Sequence, residues 1–206
     1  MEPYAIGLAL NIGLTASHSK IHGPGTRFVI WVQGCSIHCP GCANTDLWEF
    51  NQGNVRTISE LVQEIQSIEG IEGITITGGE PLDQAKAVGE LISRCKATGL
   101  TAVLYSGYEP DEIAEDPEKQ NAMDLADIVI LGRFQKENQS SFLRWRGSSN
   151  KEFIFHNEEY KHQFDQLGNN INEVEIHIDE HGSIIIAGYP DEDLRRLFKN
   201  ATNLPG

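Results

Sequence analysis

Three closely spaced cysteines constrain the fold of this chain more than any other feature. Cys35, Cys39 and Cys42 follow the spacing C-x3-C-x2-C, directly after the apolar run Phe28–Val32, which predicts a buried strand. Thiolates held this close repel one another unless a cation binds them, so the loop indicates a metal site. Three ligands in one loop suit three irons of a cubane [4Fe–4S] cluster and leave the fourth iron open to another molecule.

A structural zinc site is the alternative interpretation of the same cysteines. His38 or Cys95 would complete the four ligands that structural zinc prefers. The x3 gap and the Pro-Gly pair between the last two cysteines are more typical of a loop around a larger cluster. Cys95 falls on a predicted helix beside Leu91 and Ile92, so we interpret it as a small buried hydrophobic residue rather than a ligand.

Length and composition are those of one ordinary globular domain with a strongly acidic net charge. The chain has 206 residues, 39% of them hydrophobic and 22% charged, and a formal net charge of −14. We predict a core, residues 1–155, and a C-terminal extension, residues 156–206, packed on the same domain. The acidity argues against a general nucleic-acid-binding protein. Because no long apolar run and no signal peptide are visible, we expect a cytoplasmic protein without membrane contact.

Apolar runs alternate with segments of helical periodicity along most of the chain. This order predicts an α/β fold of parallel strands joined by helical crossovers, followed by a β-hairpin and a last helix. The predicted strands are Ala5–Leu10, Phe28–Val32, Gly73–Thr77, Leu100–Tyr105, Ile128–Leu131, Glu152–Phe155, Glu173–Ile178 and Ser183–Ala187. The predicted helices are one from the capping box at Thr57 to about Ile68, one from an Asp83 cap to Lys96, Ala122–Leu125 and Asp191–Lys199.

Glycine-rich and polar motifs follow three of these predicted strands. Gly78, Gly79 and Glu80 follow one strand, Ser106 the next and Arg133 a third. Because the carboxyl ends of parallel strands meet at one edge, we expect these residues beside the cysteine loop. The glycines permit close approach of a ligand, Glu80 suits an ammonium group and Arg133 suits a carboxylate. An ordinary turn and a surface salt bridge are the alternative interpretations.

Taken together, these motifs resemble the radical SAM superfamily, and within it the activating proteins of anaerobic ribonucleotide reductase, a group of glycyl radical enzyme activases. The stretches that carry the resemblance are Gly23–Arg27, Trp31–Cys35, Cys39–Asn44, Trp48, Thr77–Leu82, Ser106–Tyr108, Gly132–Phe134 and Trp145–Asn150. They keep the order and approximate spacing of that family from about residue 20 to 155. The cysteine spacing combined with Gly-Gly-Glu-Pro is specific for the superfamily.

The resemblance implies a partial (β/α) barrel of the radical SAM type, with the C-terminal hairpin and helix as an extension. It implies that Cys35, Cys39 and Cys42 bind a [4Fe–4S] cluster whose fourth iron is chelated by S-adenosylmethionine (SAM). Residues 78–80 would line the amino-acid end of SAM, with Ser106 and Arg133 nearby. No residue beyond the cluster ligands is expected to be catalytic, because positioning and exclusion of water are what radical chemistry needs from the protein.

The resemblance also implies an activity and partners. One electron from a flavodoxin or ferredoxin would cleave SAM to a 5′-deoxyadenosyl radical, which would take hydrogen from a glycine of an anaerobic ribonucleotide reductase-like enzyme. Two departures bear on this: Leu131 stands where related activases often carry Asp, and residues 156–206 extend past the usual end of the short activating proteins. Direct modification of a small molecule or peptide, and a zinc-stabilised binding protein without catalysis, remain the alternatives.

Overall fold

A seven-stranded mixed sheet forms the centre of the computed structural model, which describes residues 7–167, 173–178, 184–191, 193–194 and 196–197. Its strands are β1 (Ala9–Ser19), β2 (Arg27–Val32), β3 (Asn54–Thr57), β4 (Gly73–Gly78), β5 (Thr101–Tyr105), β6 (Ile128–Leu131) and β7 (Glu152–Phe155). They lie in the order β3-β1-β2-β4-β5-β6-β7. Two further strands, β8 (Val174–Ile178) and β9 (Ile184–Gly188), form a separate antiparallel pair.

Five helices accompany the sheet in the described part of the chain. They are α1 (Ile58–Ser67), α2 (Ala85–Lys96), α3 (Pro110–Ala114), α4 (Pro117–Leu125) and α5 (Glu158–Leu167), with 3-10 turns at Thr45–Leu47, Pro81–Gln84 and Lys136–Asn138. None of the helices within the described ranges is long and apolar enough to cross a bilayer.

The four central strands β2, β4, β5 and β6 are parallel, whereas β1, β3 and β7 pair antiparallel at the flanks. All residues of β2 and β6 are buried, which explains their continuous apolar sequences. Alternate residues of β2 face opposite sides: Phe28 and Ile30 pack with the helices, and Val29 and Trp31 lie in a second cluster. The sheet thus separates a face covered by α1, α2 and α4 from a second face, on which Val29 and Trp31 lie.

The predicted architecture is confirmed as a mixed α/β fold with a mostly parallel central sheet. Among the described strands, β3 and β7 each have one partner only, so the sheet is open. An open sheet is compatible with a partial barrel, and the barrel itself stays a prediction. The C-terminal hairpin is present as β8 and β9, while the residues between these two strands lie outside the described residues. Of the predicted helix Asp191–Lys199, residues 193, 194, 196 and 197 are helical, and residues 192, 195, 198 and 199 lie outside the described residues.

Two local predictions about helix starts had different outcomes. The capping box is confirmed, because Thr57 Oγ1 accepts from the Glu60 amide and the Glu60 carboxylate accepts from the Thr57 amide. The Asp83 cap is wrong, because α2 begins after Gln84. The Asp83 carboxylate instead accepts from the Ser36 amide and from the Tyr108 hydroxyl, each at 2.7 Å. It therefore ties the cysteine loop to the loop after β5.

The first strand was also misplaced by the sequence. The predicted strand Ala5–Leu10 overlaps β1 only at its last two residues, since β1 runs from Ala9 to Ser19. The short strand β3 and the helices α3 and α5 were not predicted. The predicted helix Ala122–Leu125 is the last part of α4, which starts at Pro117 with the Asp116 side chain accepting from the first turn's amides.

Candidate iron-sulfur and cofactor site

One cavity opens at the carboxyl ends of β2, β4 and β5. It contains about 930 Å³ of empty space, part of it open solvent. Its lining includes the three loop cysteines and four of the five predicted cofactor contacts: Cys35, Cys39, Cys42, Gly78, Gly79, Glu80 and Ser106. The structure therefore brings together side chains that are separated by up to 71 positions (106 − 35 = 71) in the sequence.

The returning segment 44–48 shapes the cysteine loop. The Gly34 amide donates to the Leu47 carbonyl at 2.9 Å and the Cys35 amide to the Trp48 carbonyl at 3.0 Å. The Asn44 amide donates to Cys42 Sγ at 3.4 Å. These bonds fix the loop through its backbone, so the cysteine side chains remain free to act as ligands.

His38 does not join the cysteines. Its backbone has φ of 51°, and its ring stacks on Trp48 with the ring centroids 4.6 Å apart. Within the described part of the chain, no group of three or more His, Cys, Asp or Glu side chains is placed to hold a single metal ion. Because its ring stacks on Trp48, His38 is not placed as a fourth ligand beside the cysteines. A cubane needs only the three thiolates from this loop, each on a different iron.

Gly78 and Gly79 allow the loop after β4 to lie directly against the cysteine loop. A Cβ on Gly78 would lie 2.5 Å from the Val32 amide nitrogen, and one on Gly79 would lie 2.1 Å from the Gly34 carbonyl oxygen. In this close approach the Glu80 amide donates to the Gly34 carbonyl at 2.8 Å. Glycine is thus required at positions 78 and 79 for a structural reason that the sequence did not reveal, because any side chain there would push the two segments apart.

Glu80 is a buried carboxylate that holds the loop after β5. Only 2% of its surface is exposed, and it accepts from the Leu82 amide at 2.9 Å, Ser106 Oγ at 2.8 Å and the Gly107 amide at 2.7 Å. Burial raises the pKa of Glu80 to about 7, although these three donors oppose the shift. The expected pairing of Glu80 with an ammonium group therefore competes with protein donors that already occupy both oxygens.

Arg133 is the one predicted cofactor contact that is not in the cavity lining. Its guanidinium donates to both carboxylate oxygens of Glu112 at 2.7 Å, and this contact lowers the pKa of Glu112 to about 2. Arg133 does bind a carboxylate through two donors, as predicted, but this carboxylate is the side chain of Glu112 and not part of a cofactor. A role for Arg133 in binding the cofactor stays a prediction, and it would require this ion pair to break.

Lys151 supplies a cation that the sequence did not point out. It lines the cavity, and its Nζ donates to the Gly132 carbonyl. Burial lowers the pKa of Lys151, while Glu80, Cys39 and other anionic groups oppose that shift. The only sequence signal was its position directly after the Trp145–Asn150 stretch. Tyr105 and Tyr189, also missed, complete the aromatic part of the lining.

Cys95 is confirmed as a residue of the core. It is 1% exposed, it belongs to the main hydrophobic cluster, and burial raises the pKa of its thiol to about 12. It is absent from the cavity lining. The cysteines that can bind metal together are therefore the three of the loop.

Comparison with known proteins agrees with this geometry. Residues 21–154 match the family described as 4Fe-4S single cluster domain. The anaerobic ribonucleoside-triphosphate reductase-activating protein of Escherichia coli (strain K12) is 32% identical over 139 residues, which cover 64% of this chain and 89% of that protein. The chain belongs to the radical SAM superfamily, in this single-cluster family.

Other similarities are weaker or less complete. The pyruvate formate-lyase-activating enzyme of Listeria monocytogenes is 29% identical to this radical SAM protein over 143 residues, which cover 65% of this chain and 56% of that one. The crystal structure of QueE from Escherichia coli covers 48% of this chain and 52% of its own, with 16% identity and a TM-score of 0.37. That last similarity is too low to support an argument.

This radical SAM protein is therefore an activase-like oxidoreductase, and its cofactors are a [4Fe–4S] cluster and SAM. The cavity fits both groups. Three thiols line it, a backbone amide donates to Cys42 Sγ, and the lining includes the amine of Lys151 for the carboxylate end of an amino acid.

Proposed function

We propose that this protein activates a glycyl radical enzyme by cleaving SAM reductively at its cluster. The observation that carries the proposal is the meeting of the cysteine loop with residues 78–80 in one cavity, where the Glu80 amide donates to the Gly34 carbonyl at 2.8 Å. The chemistry supplied by the bound cofactors is one-electron cleavage of SAM into methionine and a 5′-deoxyadenosyl radical, which abstracts a hydrogen atom.

In this proposal Cys35, Cys39 and Cys42 hold the cluster and leave one iron open. Residues 78–80 line the amino-acid end of SAM, where the backbone of the two glycines is accessible to a ligand. Ser106 takes part indirectly, because its hydroxyl orients the Glu80 carboxylate at 2.8 Å. The arrangement of donors and acceptors is set before the ligand arrives, which reduces the cost of ordering them on binding.

Lys151 is the residue that we propose for the carboxylate of SAM. Its side chain is half-buried in the cavity lining and, among the described residues, its amine donates to the neutral Gly132 carbonyl. A buried ammonium is stabilised by an anionic partner much more than by a carbonyl. Arg133 is less suited to this role, since its guanidinium already forms an ion pair with Glu112.

The partner is inferred from the names of the relatives. They activate an anaerobic ribonucleoside-triphosphate reductase or a pyruvate formate-lyase, so a glycine of an enzyme of that kind is the proposed hydrogen donor. A flavodoxin or ferredoxin is the proposed electron donor. We also propose that residues 1–155 form the catalytic core, as a partial (β/α) barrel, with residues 156–206 as an extension of the same domain.

Anaerobic reconstitution tests the cofactor chemistry. The protein should bind about four irons per chain and, with SAM and dithionite, release 5′-deoxyadenosine. Cys39→Ala should lose both the iron and the cleavage, whereas Cys95→Ser is the matched control and should retain both. Cleavage that survives in Cys39→Ala would show that the proposed ligand set is wrong.

Electron paramagnetic resonance tests the partner. A mixture of the reconstituted protein, SAM, dithionite and a candidate glycyl radical enzyme should develop the doublet signal of a glycyl radical. Normal formation of 5′-deoxyadenosine without this signal, for every candidate from the same genome, would refute activation. It would support the second candidate, direct modification of a small molecule or peptide.

A further inference from the structure

The strand pair β8–β9 is followed by one residue that lines the cavity with the three cysteines. Tyr189, which directly follows β9, is part of the cavity lining together with Cys42. The family match ends at residue 154, so this residue comes from outside the segment that defines the family. We call the described residues 173–178 and 184–191 the hairpin wall.

Specific contacts hold the hairpin wall against the sheet. Ala187 is 4% exposed and packs in the same cluster as Val29 and Trp31 of β2. The Lys20 amide donates to Glu175 Oε1 at 2.7 Å, which joins β8 to the loop before β2. These contacts combine apolar burial with a charge-assisted hydrogen bond, so the hairpin wall packs at a fixed position on this face of the sheet.

A glycine turn directs Tyr189 into the cavity. Gly188 has φ of 107°, and a Cβ there would lie 2.6 Å from the Glu173 carbonyl oxygen. On the opposite side, a Cβ on Gly147 would lie 2.6 Å from Tyr189 Cε1, so the tyrosine ring packs directly on the Gly147 backbone. Only glycine at both positions leaves the ring where it is.

Two tyrosines line the cavity together with Cys42. Tyr189 is half-buried there. Tyr105, 6% exposed, also lines the cavity, and its hydroxyl has no hydrogen-bond partner among the described residues. Two large aromatic rings in the lining are suited to excluding water from a reactive group.

We propose that Tyr189 closes the side of the cavity nearest Cys42 and shields the cluster site from solvent. The ring covers the gap between Gly147 and the cysteine loop, and the hairpin wall positions it there. The effect of this shielding on catalysis depends on the proposed function, in which Cys42 is a cluster ligand. The shielding itself is a property of the metal-free protein and is tested without cofactors.

The test is the alkylation rate of Cys42 in metal-free, reduced protein, followed by peptide mass spectrometry with iodoacetamide as the probe. Tyr189→Ala should raise the rate about fivefold, because the thiol becomes reachable without local opening of the wall. Tyr189→Phe keeps the ring and should match the wild type. Ile176→Ala, at a 51% exposed position of β8, is the control for a general effect of mutating the hairpin.

Gly147→Ala separates loss of the ring from loss of the wall. It keeps Tyr189 but places a methyl group in its seat, so it should also accelerate Cys42 alkylation. Equal rates in Tyr189→Ala and wild type would overturn the proposal. So would an equal acceleration in Ile176→Ala, which would mean that the hairpin as a whole, rather than Tyr189, limits access.

A second measurement follows the reconstituted protein in air. The absorbance of the cluster should decay about fivefold faster in Tyr189→Ala than in Tyr189→Phe, because oxygen and water reach it through the opened side. Matching decay rates in the two variants would refute shielding even if SAM cleavage and the proposed activase function remain intact.

Discussion

Arg27 gives the sharpest prediction about the stability of this fold. Its side chain is completely buried at the start of β2, and its donors reach neutral groups: Pro24 O at 2.9 Å, Ile74 O at 2.6 Å, Thr101 O at 2.9 Å and Thr75 Oγ1 at 2.8 Å. These acceptors belong to the loop before β2 and to the strands β4 and β5. One guanidinium therefore joins three adjacent strands and a loop.

The cost of Arg27→Met follows from these contacts. One buried and two partly buried carbonyls lose a charged donor, and an unpaired buried acceptor costs about 1–3 kcal/mol. Burial lowers the pKa of Arg27 to about 10, which means that the charge itself is desolvated, and removing it returns part of the loss. We expect a net decrease of about 3–4 kcal/mol in the free energy of unfolding.

Urea unfolding of the metal-free protein measures this decrease. With a slope of about 2 kcal/mol per molar urea, the midpoint should fall by about 1.5–2 M at unchanged slope. Arg56→Met is the matched control, since Arg56 forms a partly exposed pair with Glu64 and should cost less than about 1 kcal/mol. Equal midpoints for the two variants would refute the assignment of Arg27 as the tie between the strands.

Two further predictions concern the site, and a third concerns the hydrophobic core. Lys151→Met should weaken SAM binding to the reconstituted protein about tenfold without loss of iron, whereas the exposed Lys86→Met should not; equal affinities in titration would exclude Lys151 as the carboxylate partner. Burial raises the pKa of Glu80 from 4.5 to about 7. Protonated Glu80 therefore stabilises the folded state below pH 4.5, and this contribution to the free energy of unfolding, about 3 kcal/mol, is lost as the pH rises to about 7. Glu80→Gln should flatten this part of the urea midpoint–pH curve, and an unaltered curve would contradict the assignment. Cys95→Ser should keep its iron but lose about 1–2 kcal/mol of stability, because a hydroxyl replaces a thiol in the apolar core; a colourless variant would contradict its core role.

The central strands were predictable because their burial leaves a direct trace in the sequence. The apolar runs Phe28–Val32, Leu100–Tyr105 and Ile128–Leu131 lie within one residue of the observed strands β2, β5 and β6. The strand β1 was misplaced because it alternates between buried and exposed residues and carries bulges, so no continuous apolar run marks it. The strand β3 is short and largely exposed, so it has hardly any hydrophobic signal.

In the site, the sequence predicted what is local and missed what is long-range. The cysteine spacing and the Gly78–Gly79 pair are contiguous motifs, and both line the cavity. The ion pair of Arg133 was not predictable, because its partner Glu112 lies 21 residues before it and takes both guanidinium donors. Tyr189 reaches the cavity only through the packing of the hairpin wall, which has no counterpart in a local pattern.

Because Gly79 contacts Gly34, the mutations that abolish metal binding are not limited to the metal ligands. A methyl group at Gly79 meets the Gly34 carbonyl oxygen at 2.1 Å, one residue before Cys35. Replacement of a residue that touches no iron would therefore produce the same colourless phenotype as loss of a cysteine. A screen for loss of the brown colour would recover mutations in two segments of the gene, one that encodes the cysteine loop and one that encodes Gly79. Second mutations that restore the colour would arise in the other of these two segments.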